Sequence, residues 1–319
     1  MNGFTSFISS QLEDFVRFRK ASGNWNASSY EINLKLFDKY VTLNYPDANI
    51  LTQEMTDNWC KKRDSEMNNS CRSRIYVVVS FIRYLKERGL TSIDEPAVPA
   101  KENRTYIPHS FTEEELEAFF AECDSIQLFR NSGLVHKLRK VIVPVFFRLL
   151  FSSGIRTNEA RLLKKEDVFL DDGVISIRDS KGNDQHYIVL HDTMAELMRR
   201  YDASVEKLMP GRKYFFPSSK DTPHPKSWVI WNFNTIWGKI SDERATSYEF
   251  RHHYAVSNIN GWTDQGWEFH DNLMYLSKSM GHRSVEETKR YFSIVPTLSD
   301  ILEEKTSASM NDIIPEVEE

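Results

Sequence analysis

The sequence contains no run of about 18 apolar residues, so it offers no candidate membrane-spanning helix. Its start, MNGFTSFISSQLEDF, has an amphipathic pattern with early acids and lacks the basic-then-apolar layout of a signal peptide. Cysteine is scarce. Cys60, Cys71 and Cys123 stand apart with no CxxC pair, which argues against a zinc site and for a reducing, cytoplasmic setting. No P-loop and no cluster of metal-ligand type occurs, so neither a metal nor another cofactor is expected. Only 12 glycines and 11 prolines interrupt 319 residues, which leaves long stretches free to form helix. An excess of positive charge is also missing: 41 Lys+Arg face 46 Asp+Glu, net −5. By composition alone, nothing points to a nucleic-acid partner.

What is present is a globular composition, 40% hydrophobic and 27% charged, at a length that suits two domains. The charge is uneven. Residues 1–107 carry net +2, residues 108–297 net −1, and residues 298–319 net −6. Most of the negative charge therefore sits in a short tail, and a local basic surface, not a basic total, is what phosphate binding requires.

Helical spacing in Phe4, Phe7, Ile8, Leu12, Phe15 and Val16 predicts a first helix. Further helices are expected near 28–43, 53–64 and 70–88, the last stopped by Gly89. Pro96, Pro99 and Pro108 mark a linker within residues 91–110. Thr112 and Glu115 then form a capping box. An apolar helix at 135–152 and a short helix after Arg156 follow. Strands are expected at 174–178 and 186–190, with helices at 192–208, 226–240, 246–258, 271–280 and 284–292. The expected organisation is an N-terminal helical domain (1–95), a linker (96–110), a second domain (111–297) and an acidic tail (298–319).

Four patches can carry chemistry. Gly154-Ile155-Arg156-Thr157-Asn158-Glu159 puts an arginine at the mouth of a helix, where anions are favoured. Ser180-Lys181-Gly182-Asn183 places a lysine at a hairpin tip, able to give up a proton. In Tyr248-Glu249-Phe250-Arg251-His252-His253, helical spacing brings Tyr248, Arg251 and His252 onto one face, with Ser247 as N-cap. In the fourth patch, Gly281-His282 precedes Tyr291 by nine residues, and Ser284 with Glu287 forms a second capping box that would place Tyr291 two turns inside a helix. Alone, each patch has a plain structural explanation: a surface arginine, a solvated turn, a hydrogen-bonded cluster, a packed aromatic.

Their joint order is another matter. Gly-Ile-Arg-Thr-Asn-Glu, the Ser-Lys-Gly hairpin, Tyr-Glu-Phe-Arg-His-His-Tyr-Ala and Met-Gly-His followed by Tyr291 resemble, in sequence order, the boxes of the tyrosine recombinase (phage integrase) family. The resemblance covers about residues 108–295; the N-terminal helices are similar to that family's core-binding domain only in size and content. It implies a mainly α fold: a SAM-like core-binding bundle plus an α+β catalytic domain with a small antiparallel sheet. It implies site-specific DNA cleavage and rejoining through a 3′-phosphotyrosyl link, as in integration or excision of a mobile element. Arg156, Arg251 and His282 would clamp the phosphate, Tyr291 would attack it, Lys181 would protonate the leaving 5′ oxygen, and Glu159 would support the site. Duplex recombination sites are the implied partner, clamped between two domains of a tetramer, with partner recombinases or directionality factors as further partners. The tail would pack on a neighbouring subunit through Ile301, Leu302, Ile313 and Ile314.

Two positions depart from the family's pattern. Where its second box begins with His or Lys, this chain has Tyr248, and a phenol with an ordinary pKa of about 10 is a poor base at pH 7. Tyr248 can still bond a phosphate oxygen or orient Tyr291. His282 lies 31 residues after Arg251, where about 22 is common, and the extra residues 260–269 are expected to form a loop. Outside the boxes, Lys61, Lys62, Arg63, Arg72 and Arg74 form the densest basic stretch and are expected to touch DNA. Three competing readings stay open: a DNA-binding accessory protein with an impaired site, a type IB topoisomerase-like relaxing enzyme, and a helical scaffold unrelated to nucleic acid.

Overall fold

Asp38 decides where the first helix starts. Its carboxylate accepts the backbone N–H groups of Thr5 (2.8 Å) and Ser6 (3.0 Å) and the Ser6 hydroxyl (2.6 Å). Residues 4–8 are thereby held before the helix, and α1 spans Ser9–Ala21. A computed structural model describes residues 3–23, 25, 27–102, 107–129, 132–178, 185–262 and 268–291. The chain divides into two units, Met1–Thr105 and Tyr106–Glu319.

In the first unit a π-helical turn at Ala27–Glu31 leads into α2 (Ile32–Asn44), followed by α3 (Gln53–Cys60) and α4 (Asn68–Lys86). Their apolar stripes meet in a core that includes Leu12, Phe15, Phe37, Val41, Ile75, Val78 and Phe81, each buried. Sequence periodicity extends the third helix to Asp64, but it ends at Cys60. The reason is Arg74 on α4, whose guanidinium bonds the carbonyls of Trp59 and Lys61 and pairs with Glu66 at 2.6 Å. Arg74 is 5% exposed and spends its donors on a helix end, so it leaves the set of expected DNA contacts. The proline-containing stretch read as linker lies along this bundle through Glu102. Ile93 is buried in the core, Asp94 and Glu95 pair with Lys86 and Arg83, and Asn69 bonds the Glu102 backbone.

The second unit contains α5 (Glu113–Asp124), α6 (Leu134–Ser153), α7 (Thr157–Leu162), strands β1 (Val168–Phe169), β2 (Val174–Ile177) and β3 (His186–Val189), then α8 (Asp192–Leu208), α9 (Lys226–Trp237), α10 (Glu249–Gly261), α11 (Glu268–Ser279) and α12 (Val285–Lys289). The Thr112–Glu115 capping box forms at the start of α5. The strands make one antiparallel sheet in the order β1-β2-β3, with Ile175 opposite Ile188. The buried face of α6 (Leu138, Ile142, Phe146, Phe147, Leu150) is the spine of the main core. A separate cluster joins α10 and α11 to Tyr291 through Ala255, Ile259, Leu273, Leu276 and Met280.

Local details differ from the sequence reading. Ser247 does not cap α10; the Glu249 carboxylate, itself fully buried, accepts the Thr246 N–H at 2.9 Å instead. Asn260 and Gly261 belong to α10, while Glu268 and Phe269 open α11, so the ends of the expected 260–269 loop are helical; residues 263–267 lie outside the described residues. Ser284 precedes α12 without a side-chain capping bond, and α12 stops at Lys289, which leaves Tyr291 just beyond the helix. Among the described residues, no helix is long and apolar enough to cross a membrane.

Candidate active site

Arg156 is fixed by a turn that only glycine makes easily. Gly154 closes α6 in the left-handed region (φ +61°), and Arg156 becomes the residue before α7. Glu159, 6% exposed, reaches back from α7 to the Arg156 backbone N–H (3.1 Å) and guanidinium (2.7 Å). The other side of that guanidinium donates to the Gly281 carbonyl at 2.6 Å. One carboxylate and one distant carbonyl thus hold the cation in place.

Arg251 on α10 is 2% exposed. Its Nη1 donates to the Gly154 carbonyl (2.6 Å), and its Nη2 donates to the Met280 carbonyl (2.7 Å) and to His282 Nε2 (2.9 Å). The carbonyls come from the ends of α6 and α11, where helix dipoles favour a cation. A guanidinium has donors only, so His282 Nε2 must be the acceptor. His282 Nδ1 therefore keeps its proton and donates to Thr288 Oγ1 at 2.7 Å. Burial, with the charges of Arg251 and Arg156, pushes the His282 imidazole down to about 3. His282 is neutral at pH 7.

Tyr291 packs its ring into the α10–α11 cluster and is 6% exposed. It lies nearly parallel to His282 (ring centroids 6.0 Å, 18°) and meets His252 edge-on at 5.2 Å. Burial pushes its phenol above the ordinary range, while Arg251 pulls the other way by charge and hydrogen bonding. Tyr248, 46% exposed, meets His252 edge-on, also at 5.2 Å.

These groups line one cavity of about 210 Å³, bounded by Arg156, Tyr248, Arg251, His252, His282, Glu287, Arg290 and Tyr291. That is small beside the roughly 300–1,000 Å³ of a cleft for a whole cofactor or drug-sized ligand, and suits a single anionic group. Five of the six residues read from sequence as catalytic therefore meet, from positions up to 135 apart. The sixth, Lys181, lies outside the described residues. Thr288, fully buried, was not legible from the sequence, although a threonine six residues after the histidine and three before a proposed nucleophile is a signal worth weighing. In the first unit Lys61, Lys62 and Arg63 are exposed, whereas Arg72 is half-buried and donates to the Pro99 carbonyl.

Known proteins are similar to this chain in sequence and in fold. The sequence model of the phage integrase family matches residues 109–296, more than half of the chain. The tyrosine recombinase XerC of Staphylococcus saprophyticus is 24% identical over 286 residues, covering 86% of this chain and 88% of that protein. Among solved structures, the XerH site-specific recombinase bound to palindromic difH substrate superposes with a TM-score of 0.60 at 19% identity, over 93% of this chain and 84% of that one. A lambda integrase tetramer bound to a Holliday junction superposes with a TM-score of 0.56 at 16% identity, over 86% and 77%. With the family match spanning the whole constellation from Arg156 to Tyr291, the chain belongs to the phage integrase family of tyrosine recombinases.

Proposed function

We propose that this chain cleaves and rejoins duplex DNA at specific sites, with Tyr291 as the nucleophile. The observation that carries the reading is the convergence of Arg156, Arg251, His282 and a buried phenol on one small cavity. Attack on a phosphodiester builds negative charge on the non-bridging oxygens. Two guanidinium groups already oriented by carbonyls and a carboxylate meet that charge without reorganising, an effect worth about 3–4 kcal/mol for one such donor. Tyr291 Oη forms the bond to phosphorus as the bond to the 5′ oxygen breaks, and Lys181 supplies the proton to that oxygen. A 5′ hydroxyl of another strand then attacks the 3′-phosphotyrosyl link and frees Tyr291. His282, neutral and anchored by Thr288, fixes the angle of Arg251 and forms one wall against the tyrosine ring.

Duplex recombination sites are the proposed partner, touched outside the cavity by Lys61, Lys62, Arg63 and Arg72. Assembly as a homotetramer on paired sites is supported by the shared fold with lambda integrase, seen as a tetramer on a Holliday junction. The first unit is proposed as the core-binding domain and the second as the catalytic one. Service to a mobile element is the proposed role, and a cytoplasmic setting fits three unpaired, buried cysteines, Cys60, Cys71 and Cys123. The test is a nicked suicide duplex, on which a cleaved half cannot be rejoined. The wild-type chain is expected to leave a protein–DNA adduct that survives denaturation, and Tyr291→Phe none. Adduct formation by Tyr291→Phe would refute the assignment.

A further inference from the structure

Resting on the reading just given, the geometry points to His252 as the group that takes the phenolic proton of Tyr291 during attack. The family's usual acceptor position holds Tyr248, a phenol where an imidazole or an amine would stand. His282 has both ring nitrogens committed, one to Arg251 and one to Thr288. His252 is in ring contact with both tyrosines, its ring centroid 5.2 Å from each, and it lines the same cavity. Among the described residues its Nδ1 is buried and has no hydrogen-bond partner. A buried polar atom without a partner is costly, and its persistence beside a reacting phenol marks a place kept for a proton.

The charged and titratable groups around it support this. Arg251 shares its helix and Tyr248 stands just before that helix; Arg156, His282, Glu287, Arg290 and Tyr291 line the same cavity from other segments. Burial and the charge of Arg251 hold its imidazole below the ordinary 6.5, so it is neutral at pH 7 and has a lone pair available. The step balances. The Oη–H proton passes to the imidazole as Oη joins phosphorus, and the departing 5′ oxygen receives its proton from Lys181. On rejoining, the imidazolium returns the proton to Tyr291.

The experiment uses the full chain and a nicked suicide duplex that carries a site recovered by binding selection from random-sequence DNA. Single-turnover adduct formation is followed from pH 4 to 9. His252→Ala and His252→Asn are expected to bind the duplex and to cleave about 10²–10³-fold more slowly. Added imidazole should restore part of the His252→Ala rate, and the fall of the wild-type rate on acidification should disappear in both variants. Folded, DNA-binding variants with the wild-type rate and pH profile would overturn the proposal. So would slow variants with no imidazole rescue and an unchanged profile, which mark a structural role only. Wild-type cleavage that persists to pH 4 and vanishes in Glu287→Gln would transfer the role to that carboxylate. Failure of the broader reading looks different: Tyr291→Phe would then still form the adduct.

Discussion

Replacing Gly281 by alanine separates two effects that the same atom would cause. Gly281 has φ +61°, a conformation that costs an L-residue roughly 1–2 kcal/mol. A Cβ there would also lie 2.5 Å from His186 Cε1, 2.7 Å from His186 Nδ1 and 2.9 Å from Arg156 Nη1. Overpacking of that kind adds about 1–3 kcal/mol. Gly211 is the control within the same unit, since it has φ +68° but nothing within 4 Å of the added carbon. Gly211→Ala should therefore lose about 1–2 kcal/mol, and Gly281→Ala about 2–5 kcal/mol. At roughly 2–4 °C per kcal/mol for a unit of this size, thermal melting resolves the difference. The clash also pushes on the cation that the Gly281 carbonyl holds, so adduct formation should slow by up to about 10²-fold, the penalty of misplacing a catalytic group by about 1 Å. Equal melting and equal cleavage for the two variants would refute the idea that Gly281 is required by close approach to Arg156.

Two further outcomes follow, one from a buried charge and one from three exposed ones. Arg74→Ala leaves Glu66 without its guanidinium in a site where both side chains are largely buried, so urea denaturation should show a loss of about 3–5 kcal/mol. Substituting Lys61, Lys62 and Arg63 by alanine should instead leave the urea midpoint in place and flatten the salt dependence of duplex binding by up to about 0.9 for each phosphate no longer neutralised; the reverse pattern contradicts the assignment. The pH dependence of stability has a definite sign. His282 and His224 are held at about 3 and about 4 in the folded chain, both first by burial, against 6.5 when unfolded. As pH falls below 6.5 the unfolded chain takes up protons that the folded chain refuses, so stability is full above 6.5 and declines toward the folded values. The urea midpoint should be lower at pH 5 than at pH 7.5, a window that lies above Glu66, held at about 2 by its bond to Arg74. A flat midpoint across it would contradict the buried-histidine argument.

Local pattern alone determined a good part of this protein. Apolar residues at helical spacing located the helices, since one face must leave water whatever it meets, and Thr112 with Glu115 marked a helix start because a capping box closes within one turn. The order of Arg156, Arg251, His282 and Tyr291 indicated the chemistry before any geometry was known. Tertiary structure decided the rest. Basic residues in a row look alike, but Arg74 turns inward because carbonyls at the end of α3 and the Glu66 carboxylate lie within its reach. The helix that sequence extends through Tyr291 ends at Lys289, and the ring is held by a cluster from α10 and α11. The state of His282 is set by a guanidinium 31 positions away on one side and by Thr288 on the other. Such facts depend on which faces of distant segments meet, and spacing along the chain carries no record of that.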